Sequence, residues 1–151
     1  MRALKSFEEY IDEGIVKKGT KDSERAKSLL LESERKSNSL RERLEKIGIK
    51  DENANDYVEY CYDIIMLIIR AKMISQGYHA SGRGAHEAEV SFLRKIQCSE
   101  REIQFVDQMR FFRNGMLYYG TLLDTGYAEE VLKFMKLILQ KLEKLQKITI
   151  T

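Results

Sequence analysis

Apolar residues recur every three to four positions along most of the chain, and no segment alternates with period two over a useful length. The pattern predicts helices and no strand. The first long helix runs from about Asp22 to Lys46. Ala26, Leu29, Leu30, Ser33, Ser37, Leu40, Leu44 and Ile47 trace its buried face, and the small residues in mid-stripe allow close helix approach. Asp22 or Ser23 is placed to cap it, Glu24 suits the positive end of its dipole, and Gly48 ends it. The second spans about Asn53 to Gln76 and is apolar nearly all round: Tyr57, Val58, Cys61, Ile64, Ile65, Leu67, Ile68, Ile69 and Ala71. That is the pattern of a central helix covered on most sides.

Gly77 to Gly84 reads as a loop, and a short third helix follows from about Ala85 to Lys95, burying Val90, Phe92, Leu93 and Ile96. Ser99 with Glu102 three residues later forms a capping box that opens the fourth helix. A last helix runs from about Tyr127 to Lys147 on a stripe of Val131, Met135, Ile138, Leu139, Leu142 and Leu145. Glu129 and Glu130 stand at its start and Lys141, Lys144 and Lys147 at its end, as the dipole prefers. Residues 6 to 20 read as a short amphipathic helix on Phe7, Tyr10 and Ile11, followed by a linker with Gly14 and Gly19. This arm is expected to pack loosely or to touch a partner. The fold class expected is all-α: an up-and-down bundle of four long helices plus one short crossing helix, with an arm at 1–20 and the helical domain at 21–151.

Composition narrows this little. The 151 residues suit one domain, and the absence of proline suits long uninterrupted helices. A net charge of +2 does not by itself call for a polyanionic partner. Cys61 and Cys98 fit no metal or redox spacing and read as reduced packing residues. The longest apolar run, Ile64 to Ile69, is too short to span a bilayer, and Met1 to Lys5 carries no signal-peptide core; a cytoplasmic protein without membrane contact is expected. The glycines of the Gly77–Gly84 loop lack the Gly-Lys-Ser/Thr ending and preceding strand of a P-loop. His79 and His86 have no partners at metal spacing, so no metal or other cofactor is expected. With Arg83 they either extend a phosphate-binding surface or belong to a plain solvated loop.

Candidate chemistry gathers on the fourth helix. On a wheel of about 100° per residue, Phe105, Val106, Met109, Phe112, Met116 and Leu117 form a core arc. Arg113 falls in the middle of it. An arginine there must pair, snorkel or face a polar cavity. A bordering stripe holds Asp107, Phe111, Asn114 and Tyr118, while Tyr119 projects near Phe112 and reads as packing. Gly115 allows another backbone, such as a second subunit's, to approach. On the second helix Glu59, Asp63, Met66 and Arg70 share one face. They form either a solvated strip or a set in which Asp63 or Glu59 pairs with a base from another helix. Arg113 offers a planar fork of donors for phosphate, Asn114 can donate and accept, and Tyr118 can stack on a base. From the wheel alone the commoner arrangement is a structural ion pair, with Arg113 held by Asp63 or Glu59 inside the bundle.

Arg113-Asn114-x3-Tyr118-Tyr119-Gly120, at the end of the penultimate long helix, resembles the motif of HEPN-domain proteins, and more closely an Arg-Asn-Gly-x-x-Tyr-Tyr-Gly version in archaeal members. Gly77-Tyr78 after the second helix, His86-Glu87-Ala88 at the start of the short helix, and Phe92-Leu93 within it also match. The resemblance covers about Asp22 to Leu145. It implies a helical bundle that dimerises with the arginine motifs of two subunits in one cleft. It implies RNA or nucleotide binding, or metal-independent ribonuclease activity as a toxin, beside a minimal nucleotidyltransferase antitoxin. In that scheme Arg113 and Asn114 carry over directly; the catalytic set expected is Arg113, Asn114 and Tyr118, and the phosphate- or RNA-binding set is these three with Tyr119. The family's histidine falls on Tyr118, which removes the natural base for a ribose 2′-hydroxyl. A tyrosine that the antitoxin modifies in some members falls at Gly120, next to Tyr119. A non-enzymatic helical adaptor is the remaining alternative.

Overall fold

The computed structural model describes residues 3–150, with side chains described through residue 143. It is mostly helical. α1 is Phe7–Asp12, α2 Ser23–Lys46, α3 Ala54–Ser75, α4 Ala85–Ser91, α5 Glu100–Tyr119 and α6 Thr125–Ile150. Short 3₁₀ turns at Asp51–Asn53 and Phe92–Ile96 precede α3 and follow α4. Of the last helix's expected stripe and basic end, Leu145, Lys144 and Lys147 lie outside the residues whose side chains are described.

α3 is the hub. Tyr57, Val58, Cys61, Tyr62, Ile64, Ile65, Ile68 and Ile69 are buried around its circumference, and α2, α5 and α6 all pack on it. The near-continuous apolar surface predicts this, since only a helix covered on several sides can hide it. The end-to-end contacts set the directions. The Asp22 N–H donates to the carbonyl of Ile74 and the Tyr57 hydroxyl to that of Gly48, so α2 and α3 form an antiparallel pair. The amide of Asn55 bonds the backbone at Thr121 and Leu123, placing the start of α3 beside the end of α5. Phe112 meets Tyr127, Phe105 meets Phe134, and Lys141 meets Glu102, so α6 returns along α5. Four long helices therefore alternate in direction, with α4 between α3 and α5.

Helix starts follow their caps. The Asp22 carboxylate accepts from the Arg25 N–H. Ser99 and Glu102 form the reciprocal capping box. Asp124 accepts from the Tyr127 N–H, and α6 begins at Thr125, two residues before the expected start at Tyr127.

Three expectations are corrected. First, the molecule has a small sheet: β1 (Val16–Lys18) pairs antiparallel with β2 (Tyr78–Ala80), Val16 opposite Ala80. Three residues are too few to display an alternation, so the strands have no period in sequence. Gly77 to Gly84 is thus part ribbon, not wholly loop. Gly77 makes the approach possible: at φ +87°, an added Cβ would lie 2.5 Å from the Gly19 carbonyl oxygen. Second, the N-terminal arm is not loose. Phe7 and Tyr10 are buried, and the Phe7 ring stands edge-on to Tyr78 and Phe92, each with centroids 5.1 Å away. Third, Leu117 of the expected α5 core arc and Ile47 of the α2 face are exposed.

Candidate functional site

Arg113 points from α5 toward α3. Its Nε lies 3.7 Å from Asp63 Oδ1, an ion pair too long to be a hydrogen bond. Of the two openings left for Asp63, the paired one holds. That Nε is buried and has no hydrogen-bond partner among the described residues. The guanidinium carbon sits 5.5 Å from the ring centroid of Tyr62, a cation–π arrangement. Tyr62 is itself buried, and its hydroxyl lies 3.3 Å from Nδ1 of His86, the second residue of α4. Burial, opposed in part by Arg113, pushes the Tyr62 phenol well above its usual range, so it stays neutral. Three helices thus meet here: Asp63 and Tyr62 from α3, His86 from α4, and Arg113 from α5.

Glu59 does not pair with Arg113. It lines a shallow polar cleft of about 250 Å³ with Lys36, Arg43, Asp56, Tyr60 and Asp63. Lys36 and Arg43 lie over the Tyr60 ring at 5.1 and 5.4 Å. Asp63 belongs both to this cleft and to the Arg113 ion pair, so the two polar regions are continuous.

The rest of the expected set disperses. Arg70 makes a bidentate ion pair with the buried Glu89 of α4, at 2.6 and 3.1 Å, away from Asp63's partner. The Glu89 hydrogen bond raises the Arg70 pKa further. Asp107 is fully buried; one oxygen takes a 2.8 Å bond from Arg110 and the other has no partner among the described residues. Arg110 also reaches Glu87 at 3.6 Å. Met66, on the expected acid-base face of α3, is buried.

The aromatic end of α5 departs from the wheel. Asn114 is half-buried, but Tyr118 and Tyr119 are 76% and 87% exposed, so Tyr119 is not packing and Tyr118 does not close on Arg113. A helical wheel orders residues around an axis without saying which side has neighbours. Here α3 covers one side of the last two turns of α5, and Phe111, Leu117, Tyr118, Tyr119 and the following Leu122 face outward. The close approach at Gly115 is intramolecular: an added Cβ would stand 2.9 Å from Thr121 Oγ1.

Sequence reasoning missed Tyr62 as a site residue and Glu89 as a buried partner. Neither carries a local signal, because each is defined by a residue from another helix. His86 was visible in the match at the start of the short helix and, with His79 and Arg83, as a possible extension of a phosphate-binding surface, but not as a partner of Tyr62. Cys61 and Cys98 are free and buried, and burial pushes their thiols up to about 12 and about 11. No helix among the described residues is long and apolar enough to cross a membrane. No protein-family model, curated protein or solved structure matches the chain.

Proposed function

We propose that this chain is a HEPN-like helical protein that binds RNA or nucleotide phosphate at Arg113 and Asn114, as a homodimer acting beside a minimal nucleotidyltransferase. The observation that carries the reading is the state of Arg113. Its guanidinium is held over Tyr62 by a 3.7 Å ion pair, yet makes no hydrogen bond among the described residues. An arginine committed to a purely structural role satisfies its fork, as Arg70 does on Glu89. Arg113 is oriented but unspent, which is the condition for receiving an anion with two parallel N–H donors. Asn114 borders it on the same turn. The outward apolar end of α5 supports the dimer, because a second copy would cover it and bring two arginine clefts together.

The competing reading is a helical adaptor in which Arg113 serves only Asp63; the ion pair itself favours it. Measured binding of single-stranded RNA separates the two. Replacing Arg113 by alanine should weaken RNA affinity by roughly ten- to a hundredfold, since a charge-assisted contact contributes about 1.5–3 kcal/mol. The salt dependence of binding should also flatten by about one counterion. Unchanged affinity with lowered stability would establish the adaptor. Co-purification with a co-expressed minimal nucleotidyltransferase tests the partner.

A further inference from the structure

The ribbon closes a small cavity against the start of α2 and the end of α3. Its volume is about 50 Å³, where a single water needs roughly 10–15 Å³. Arg25 of α2, Arg70 of α3, Tyr78 and His79 of β2 and Glu89 of α4 line it. Two arginines and a histidine thus share this space with a single carboxylate. That carboxylate is already spent, since its two oxygens accept from Arg70 Nε and Nη2 at 2.6 and 3.1 Å. Arg70 Nη1 and the whole Arg25 guanidinium have no hydrogen-bond or ion-pair partner among the described residues. Like charges gathered in one small space raise each other's energy unless an anion lies between them.

The rim carries the same sign. Lys17 stands directly opposite His79 in the ribbon, so their side chains share one face. Lys18 Nζ lies 5.5 Å over the Tyr78 ring. Lys17, Lys18 and Lys21 form no ion pair among the described residues, whereas Lys5, Arg35, Arg94 and Lys95 each have a carboxylate partner. The acids beside them in sequence are engaged: Asp22 caps α2, and Glu24 lies 3.7 Å from Lys27.

We infer that the cavity between α2, α3 and β2 is a binding site for one tetrahedral oxyanion, a free phosphate ion or the phosphate group of a small monoester, held by Arg25, Arg70 and His79. The site does not include Arg113 and does not rest on the RNA reading above. Glu89 fixes the Arg70 fork by two of its nitrogens and leaves Nη1 for the anion. His79 Nε2 lies 3.2 Å from the Thr20 carbonyl, which can only accept, so Nε2 carries a hydrogen. Protonation then adds an N–H at Nδ1, the nitrogen free for the ligand. The volume admits a single phosphate group, so the rest of a monoester lies on the lysine rim.

The test titrates the full chain with sodium phosphate, sodium sulfate and glycerol 3-phosphate by calorimetry, with chloride keeping the ionic strength constant. One saturable site is expected. Arg25→Ala should weaken it at least about tenfold, as the loss of a charge-assisted contact does. Arg25 is exposed and its cap bond to Asp22 runs through the backbone N–H, so the fold survives the change. Arg25→Lys should recover part of the affinity, and Arg113→Ala should bind as the wild type does. Sulfate, dianionic throughout, should bind more tightly at pH 5.5 than at pH 8, and His79→Gln should remove that difference. The charged groups around the ring are Arg25, Arg70, Glu89 and, across the ribbon, Lys17. Tighter binding of glycerol 3-phosphate than of phosphate assigns a monoester, and the reverse assigns the free ion. No saturation by any of the three, unchanged affinity in Arg25→Ala, or loss of binding in Arg113→Ala overturns the site. Binding to vesicles of phosphatidic acid without any response to the free anions overturns a soluble ligand.

Discussion

At the scale of single residues, the buried acids decide where the molecule is vulnerable. Glu89 has 4% of its side chain exposed, and Arg70 is its ion-pair partner. Removing one member of a buried pair strands the other charge, which costs far more than the pair contributes. Arg70→Met should therefore lower the unfolding free energy by about 3 kcal/mol, and the double variant Arg70→Met with Glu89→Met should recover much of it, measured by urea denaturation. Arg113→Ala should lose about 1 kcal/mol or less in the same measurement, because its partner Asp63 is 31% exposed and solvent screens the pair. The cysteines follow the same logic of burial. With thiols pushed up to about 12 at Cys61 and about 11 at Cys98, neither forms much thiolate near neutrality. Iodoacetamide at pH 8 should label both only after denaturant is added; rapid labelling of the native chain would refute the packing.

At the scale of elements, the start of α5 couples capping to tertiary contact. Glu102 closes the capping box with Ser99 and accepts a 2.8 Å bond from Lys141 of α6. Burial alone would raise its pKa, but the Lys141 bond and the Ser99 N–H and hydroxyl together hold it below the usual carboxylate value. A lowered folded pKa gives stability that is present above the unfolded value and is lost as pH falls through the folded one. Glu102→Gln should thus be less stable than wild type at pH 7 by about 1 kcal/mol, and the gap should close below about pH 4. Melting curves across that range check the sign. The ribbon gives a second test. Gly77→Ala meets both a left-handed backbone and the Gly19 carbonyl, whereas Gly120→Ala at φ +64° meets open space. The first should cost clearly more than the 1–2 kcal/mol or so that the left-handed conformation alone asks of an alanine, and the second about that amount; equal losses would mean β1 and β2 do not approach as described.

For the molecule as a whole, the outward end of α5 is the feature a single chain leaves unexplained. Leu117, Tyr118, Tyr119 and Leu122 are each more than half exposed and follow one another over the last turn of α5 and the loop after it. Large apolar patches of this kind mark contact surfaces. Sedimentation should find a dimer that Leu117→Glu with Leu122→Glu converts to monomer without loss of helix content. A wild-type monomer would remove the shared cleft from the proposed function while leaving the geometry around Arg113 intact.

The sequence alone determined the long helices, the Ser99–Glu102 capping box and the centrality of α3, because these depend on spacing of 3.6 residues and on side chains that bond within one turn. It also singled out Arg113 and a carboxylate partner at Asp63 or Glu59, since an arginine in an apolar arc demands one; the structure chose Asp63. Only the tertiary structure decided the rest. Three-residue strands have no period to read, so the ribbon between Val16 and Ala80 and the docking of Phe7 appear only when distant segments meet. Exposure of Tyr118 and Tyr119 depends on which side of α5 has neighbours, which a wheel does not contain. Arg70 found Glu89 and Arg113 found Tyr62 and, through it, His86, because each partnership is set by the distance between helices rather than by position along one.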